Sequence, residues 1–183
     1  MAQNGIDCIE TFTGKCFDLG NPDPADVDIR DIAHALANIC RYTGHPSRFY
    51  SVAAHSIWCS EYAKWREQGP RDQFAILMHD AAEAYIGDIN HPLKMLLGQR
   101  IKDIEEGIQS AICKAFHFEM VDYKREDLTA LATEAAVLMP SGGTWWNLPY
   151  PKAGTEIWGW GRRCYERRFL ACFEALKPQL CRA

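Results

Sequence analysis

The stretch FAILMHDAAEAYIGDINHPLK, residues 74–94, decides both the fold class and the site. Its apolar start, Phe74-Ala75-Ile76-Leu77-Met78, reads as helix and delivers a histidine beside an aspartate, His79 and Asp80. Glu83 follows one turn later, Asp88 stands just after Gly87, and Pro92 marks a second helical start. Neutral imidazole and anionic carboxylate are both good ligands for a divalent metal. Neither belongs in an apolar run without a partner, because burying an unpaired carboxylate is costly. A capped core helix whose polar residues pair among themselves would explain the dipeptide alone, so the rest of the chain has to decide.

Working outward, Gly69-Pro70 starts the helix that carries His79 and ends an earlier one, opened by Ser51 and running to about Gln68. Val52, His55, Cys59 and Tyr62 share one face of that earlier helix, which turns His55 inward. Before it, Asp28 is the expected N-cap of a helix near 29–41, with GHPSRF as the break after it. Residues 6–19 alternate loosely around Thr13-Gly14-Lys15 and predict a short hairpin; NPDPAD then excludes helix. Downstream come a short helical segment over 92–97 and a long amphipathic helix marked by Ile101, Ile104, Ile108, Ile112 and Ala115. Another helix over 124–139 is stopped by Pro140, and a last one over about 162–176 buries Tyr165, Phe169, Cys172, Phe173 and Leu176. The expected architecture is an all-α bundle of six to seven helices with a small N-terminal β-hairpin, one domain over residues 1–183.

A formal charge of −4 and a pI near 5.9 argue against a nucleic-acid backbone or an anionic membrane as main partner. No apolar run approaches the ~18 residues of a membrane span, and MAQNGIDCIE lacks the regions of a signal peptide. A cytoplasmic location is expected. The eight cysteines form neither a C-x-x-C pair nor a spaced Cys/His cluster. They read as reduced thiols without a catalytic role, with Cys40, Cys59, Cys113 and Cys172 as small buried hydrophobes. His34, His45, His91 and His117 have no ligand role, and Arg162, Arg163, Arg167 and Arg168 form the wet side of the last helix. Trp145, Trp146, Trp158 and Trp160 read as core or subunit-contact residues.

Asp127, near the start of the helix in YKREDLTAL, completes a set of possible ligands: His55, His79, Asp80 and Asp127, from three helices. Metal sites in bundles are built this way, and mixed N/O donors suit Mn²⁺, Co²⁺, Zn²⁺, Fe²⁺ or Mg²⁺. A histidine, a later His-Asp pair and a distant aspartate resemble the signature of the HD-domain phosphohydrolases. DIAHALANICRYTGHPSRFYSVAAHS (31–56), LMHDAAEAYIGDINHPLK (77–94) and KREDLTALATEAAVLMP (124–140) are similar to the phage and prophage members related to 5′-deoxynucleotidases, and to the phage dATP triphosphohydrolases.

The resemblance implies one catalytic divalent metal on those four residues, with Glu83 orienting or deprotonating water and Asp88 as a second functional acid. It places Arg41 and Tyr42 near the substrate, and Arg48, Lys94 and Lys124 are further possible phosphate contacts or plain surface charges. The expected activity is hydrolysis of a deoxynucleotide at the phosphorus bonded to the 5′-oxygen. A dATP triphosphohydrolase, with a possible additional Mg²⁺ on the triphosphate, is favoured over a 5′-deoxynucleotidase acting on dNMPs. A homo-oligomer is expected. A non-catalytic metal-containing binding or regulatory module is the reading from another class.

Overall fold

In the computed structural model, which describes residues 8–154, 156, 157, 159 and 161–177, a two-stranded hairpin precedes eight α-helices among the described residues. Strands β1 (Ile9–Glu10) and β2 (Cys16–Phe17) run antiparallel, Ile9 opposite Phe17 and Glu10 opposite Cys16. Gly14, at φ +82°, supplies the left-handed residue that the turn needs. Residues 6 and 7 of the expected hairpin lie outside the described residues. Cys8 and Cys16 are joined in a disulfide, which corrects the reading of every cysteine as a reduced thiol. The antiparallel pairing sets their Cα atoms 5.5 Å apart, within the span a disulfide bridges.

The helices are α1 (Ile29–Asn38), α2 (Val52–Trp65), α3 (Pro70–Leu77), α4 (Glu83–Ile86), α5 (His91–Leu97), α6 (Gln99–Phe116), α7 (Lys124–Leu138) and α8 (Arg162–Leu176). Two of the expected caps form: Asp28 accepts from Arg30 N–H at 2.9 Å and Ser51 from Ala54 N–H at 3.1 Å. Helix α1 stops short of residue 41 because Ile39 turns extended and Cys40 makes a β-bridge to Ser51. That bridge delivers the chain directly into α2.

Helix α2 is the centre of the bundle. It packs on α1, α3, α7 and α8, and its residues from Val52 to Ser60 are all buried. Each fully buried large aliphatic side chain such as Ile57 contributes ~1.5–3 kcal/mol. Tyr165, Phe169, Phe173 and Leu176 of α8 close the core as expected, whereas Cys172 is only half-buried. The hairpin lies over α1 and α4: Phe17 stacks on Tyr85 and Phe12 on His34, each with ring centroids 3.8 Å apart. Trp145 is 84% exposed and so is no core residue; Trp146 tilts against Tyr42, and Trp158 and Trp160 lie outside the described residues.

One difference shapes the site. Helix was expected to run on through His79, but α3 ends at Leu77 and α4 begins at Glu83. Between them the backbone tightens into i→i+3 bonds, from His79 N to Ile76 O, Ala81 N to Met78 O and Glu83 N to Asp80 O. The His79 ring also donates from Nδ1 to the Ile76 carbonyl at 2.7 Å, competing for the same acceptor. No described helix is long and apolar enough to cross a membrane.

Candidate metal centre

His55 enters from the buried face of α2, His79 and Asp80 from the turn between α3 and α4, and Asp127 from the first turn of α7. Their functional atoms meet. His55 Nε2 lies 3.3 Å from His79 Nε2, 3.5 Å from Asp80 Oδ2 and 3.2 Å from Asp127 Oδ1. His79 Nε2 lies 3.2 Å from Asp80 Oδ2. The four residues singled out in the sequence are therefore brought together.

The protons on the two imidazoles follow from their outer partners. The Ile76 carbonyl can only accept, so His79 carries a hydrogen on Nδ1. His55 Nδ1 lies 2.6 Å from Oε1 of Glu134, an ionised carboxylate, and donates likewise. The two Nε2 atoms then face each other and Asp80, with Asp127 beside that of His55, and each would offer its lone pair where a cation takes the place of a proton. Donors that share one ion at ~2.0–2.2 Å stand roughly 3.0–3.5 Å apart at tetrahedral or octahedral angles. The three pairs made by His55 Nε2 and the His79–Asp80 pair have the spacing that suits a divalent cation, and the Nδ1 partners are of the kind that orient metal-bound histidines.

The electrostatics agree. Burial alone would lift the Asp80 carboxyl, yet His79, His55 and Arg41 hold it far below the usual carboxylate range. Asp127 is likewise lowered, its burial outweighed by hydrogen bonding to His55 and the pull of both histidines. Burial and Arg41 work against a charged His55, but Cys59, Glu134 and the hydrogen bond to Asp127 outweigh them and raise its pKa well above the ordinary value, which without a cation favours a proton on Nε2 where a metal would sit. Glu83 behaves in the opposite way to Asp80: burial first, then Asp80 and Asp88, push it well above the usual range. Its Oε2 is buried without a hydrogen-bond partner, and Lys94 approaches Oε1 only to 3.9 Å.

The other expected site residues divide. Asp88 is brought in, but as an acceptor for the Tyr42 backbone N–H at 2.9 Å. That contact helps hold Tyr42 and Thr43, both at φ 56°, in a left-handed conformation that costs a non-glycine residue ~1–2 kcal/mol. Arg41 is buried, with Nε 3.1 Å from Glu134 and Nη1 3.5 Å from Asp80. Lys94 is held at 2.6 Å by Glu105. Arg48 donates to the Ile157 carbonyl at 2.9 Å and lies against Gly159, and Lys124 is exposed.

Three residues of the site escaped the sequence reading. Glu134, fully buried on α7, accepts from His55, from Arg41 and, in a very short bond, from the Tyr42 hydroxyl. Arg41, His55 and these hydrogen bonds overcome its burial and hold it at about 2. Tyr123 sets its ring 4.8 Å from the His79 ring. Cys59, one turn after His55, fits the expected small buried hydrophobe, yet the ligand atoms of His55, Cys59 and His79 lie within 4.8 Å of one another. This buried group could hold a metal ion. The Cys59 sulfur is 3.6 Å from His55 Nε2 and 3.9 Å from Nδ1, nearly equidistant from the two and so not along the Nε2 lone pair. Burial pushes the thiol up to about 11.

The uncharacterized protein YfdR of Escherichia coli is 42% identical over 153 residues, which span 81% of this chain and 82% of YfdR. The chain belongs to the YfdR family. An uncharacterized protein of Rhodobacter capsulatus is 36% identical over 105 residues, covering 55% of this chain and 54% of that protein. No family model matches the chain.

Proposed function

We propose that this chain is a divalent-metal-dependent phosphohydrolase that acts on deoxynucleotides at the phosphorus bonded to the 5′-oxygen. The observation that carries the reading is the convergence of two imidazole nitrogens and two carboxylates on one point, in the order that the HD-domain phosphohydrolases use. His55, His79, Asp80 and Asp127 would hold the metal. When bound, a divalent cation supplies Lewis acidity, lowering the pKa of water from 15.7 toward ~7 and neutralising charge on a phosphoryl oxygen.

The protein's own groups do the rest. Glu83 has a raised pKa and an unpartnered buried oxygen, the properties of a group that takes a proton from water and returns it to a leaving oxygen. Asp88 fixes the Tyr42 backbone, and Arg41 presents its guanidinium beside Asp80 for a phosphate oxygen. Closure of the site by buried side chains strengthens these interactions by excluding water.

Which phosphate ester is cleaved turns on the cations. A triphosphate such as dATP needs several groups to meet its charge, with an additional Mg²⁺ as a further possibility. Arg48 is engaged by the Ile157 carbonyl and Lys94 by Glu105, which leaves Arg41 as the buried cation beside the centre. That engagement favours the 5′-deoxynucleotidase version, in which a dNMP needs one or two cations besides the metal. The deciding experiment incubates the metal-loaded protein with dAMP and with dATP separately and resolves the products. Phosphate and deoxyadenosine from dAMP are expected. Deoxyadenosine with intact triphosphate from dATP would establish the triphosphohydrolase version, and no metal-dependent product from any deoxynucleotide would leave a binding or regulatory module.

A further inference from the structure

We infer that Glu134 is a positioning residue for the metal centre: it fixes the His55 ring with Nε2 toward the ion and holds Arg41 beside Asp80. The inference rests on the metal-site reading above. Glu134 is 0% exposed, and its two oxygens serve three donors. Oε1 takes His55 Nδ1–H at 2.6 Å, while Oε2 takes Arg41 Nε–H at 3.1 Å and the Tyr42 hydroxyl. A buried carboxylate is tolerated when it is paired and its lone pairs are filled. Arg41 and Tyr42 would meet that need alone. The third partner is an imidazole whose other nitrogen faces His79, Asp80 and Asp127.

The contacts close a circuit. Glu134 holds Arg41, Arg41 reaches Asp80, Asp80 faces His55, and His55 returns to Glu134. A carboxylate behind a ligating histidine fixes the ring's tautomer and raises its basicity, and losing such a partner typically costs 10–100-fold in metal affinity. Glutamine at 134 would offer one oxygen to three donors and set an extra N–H₂ against them, so the shape is kept and the acceptor lost.

The test is a Zn²⁺ titration of wild type and Glu134→Gln in competition with a chromogenic chelator, with thermal melts of the metal-free proteins to confirm the fold. Zn²⁺ affinity is expected to fall roughly 10–100-fold in the folded variant. Tight binding by wild type with a variant within threefold would overturn the role of Glu134 and leave the metal site standing. No Zn²⁺ binding by wild type would overturn the metal site itself, and this inference with it. Should the variant not fold, nitrogen NMR of histidine-labelled, Zn²⁺-loaded wild type decides. A strongly deshielded proton on His55 Nδ1 supports the assignment, and a proton on Nε2 refutes it.

Discussion

Replacing His79 by alanine should abolish the response of the protein's stability to metal while leaving the fold in place. His79 is 7% exposed and makes two contacts of consequence, one outward to the Ile76 carbonyl and one inward to the point shared with His55 and Asp80. Loss of the outward hydrogen bond costs ~0.5–1.5 kcal/mol. For a chain of this size each kcal/mol moves Tm by roughly 2–4 °C, so the metal-free variant should melt a few degrees below metal-free wild type.

The inward contact carries the larger effect. An ion that binds only the native state at 100 times its Kd stabilises by ~2.7 kcal/mol, which corresponds to roughly 5–11 °C in Tm. Chelator-treated wild type melted with and without added Mn²⁺ or Zn²⁺ should show that rise, and His79→Ala should show almost none. Elemental analysis after dialysis gives the occupancy directly. If the variant retains both full metal and the wild-type increment in Tm, His79 is not a ligand and the assignment of the centre fails.

Glu83→Gln should keep the fold and the metal but lose ~10²–10⁴-fold in rate, the usual value of a general acid or base; a kcat within threefold of wild type would make Glu83 structural. Reducing the Cys8–Cys16 disulfide, which spans a sequence separation of 8, should lower stability by ~2.5 kcal/mol through loop-closure entropy. Melting with and without reductant measures it, and an unchanged midpoint with two newly titratable thiols would refute that figure.

The parts legible in the sequence were those set by local signals. Ser51 and Asp28 cap their helices because each offers a short side-chain acceptor ahead of an apolar stripe. His55 was readable as inward because it lies in register with Val52 and Cys59. What was missed depends on tertiary contacts. The break at His79 follows from a side-chain bond to the Ile76 carbonyl that periodicity does not report. The disulfide depends on the register of a hairpin with two residues in each strand. Glu134 looks like a surface glutamate in ALATEAAVL, although it stands seven residues after Asp127, two helical turns along the same face of α7. That spacing was the available signal, and it lets one helix address both nitrogens of His55, Asp127 at Nε2 and Glu134 at Nδ1.

The charges around His55 also bear on the valence of the ion. Asp80, Asp127 and Glu134 all have lowered pKa values and are ionised near neutrality, whereas Glu83 is pushed the other way. Arg41 is the buried cation in contact with two of them. Before any proton on His55 is counted, three carboxylates against one guanidinium leave two negative charges, and unbalanced charge beside buried groups is costly. A proton on His55, which its raised pKa favours, cancels one of them but occupies the Nε2 that faces His79 at 3.3 Å. A single doubly charged ion restores neutrality, satisfies both Nε2 lone pairs and separates the carboxylates. A monovalent ion would do only part of this, which is why the centre should discriminate for divalent metals even before ligand softness is considered.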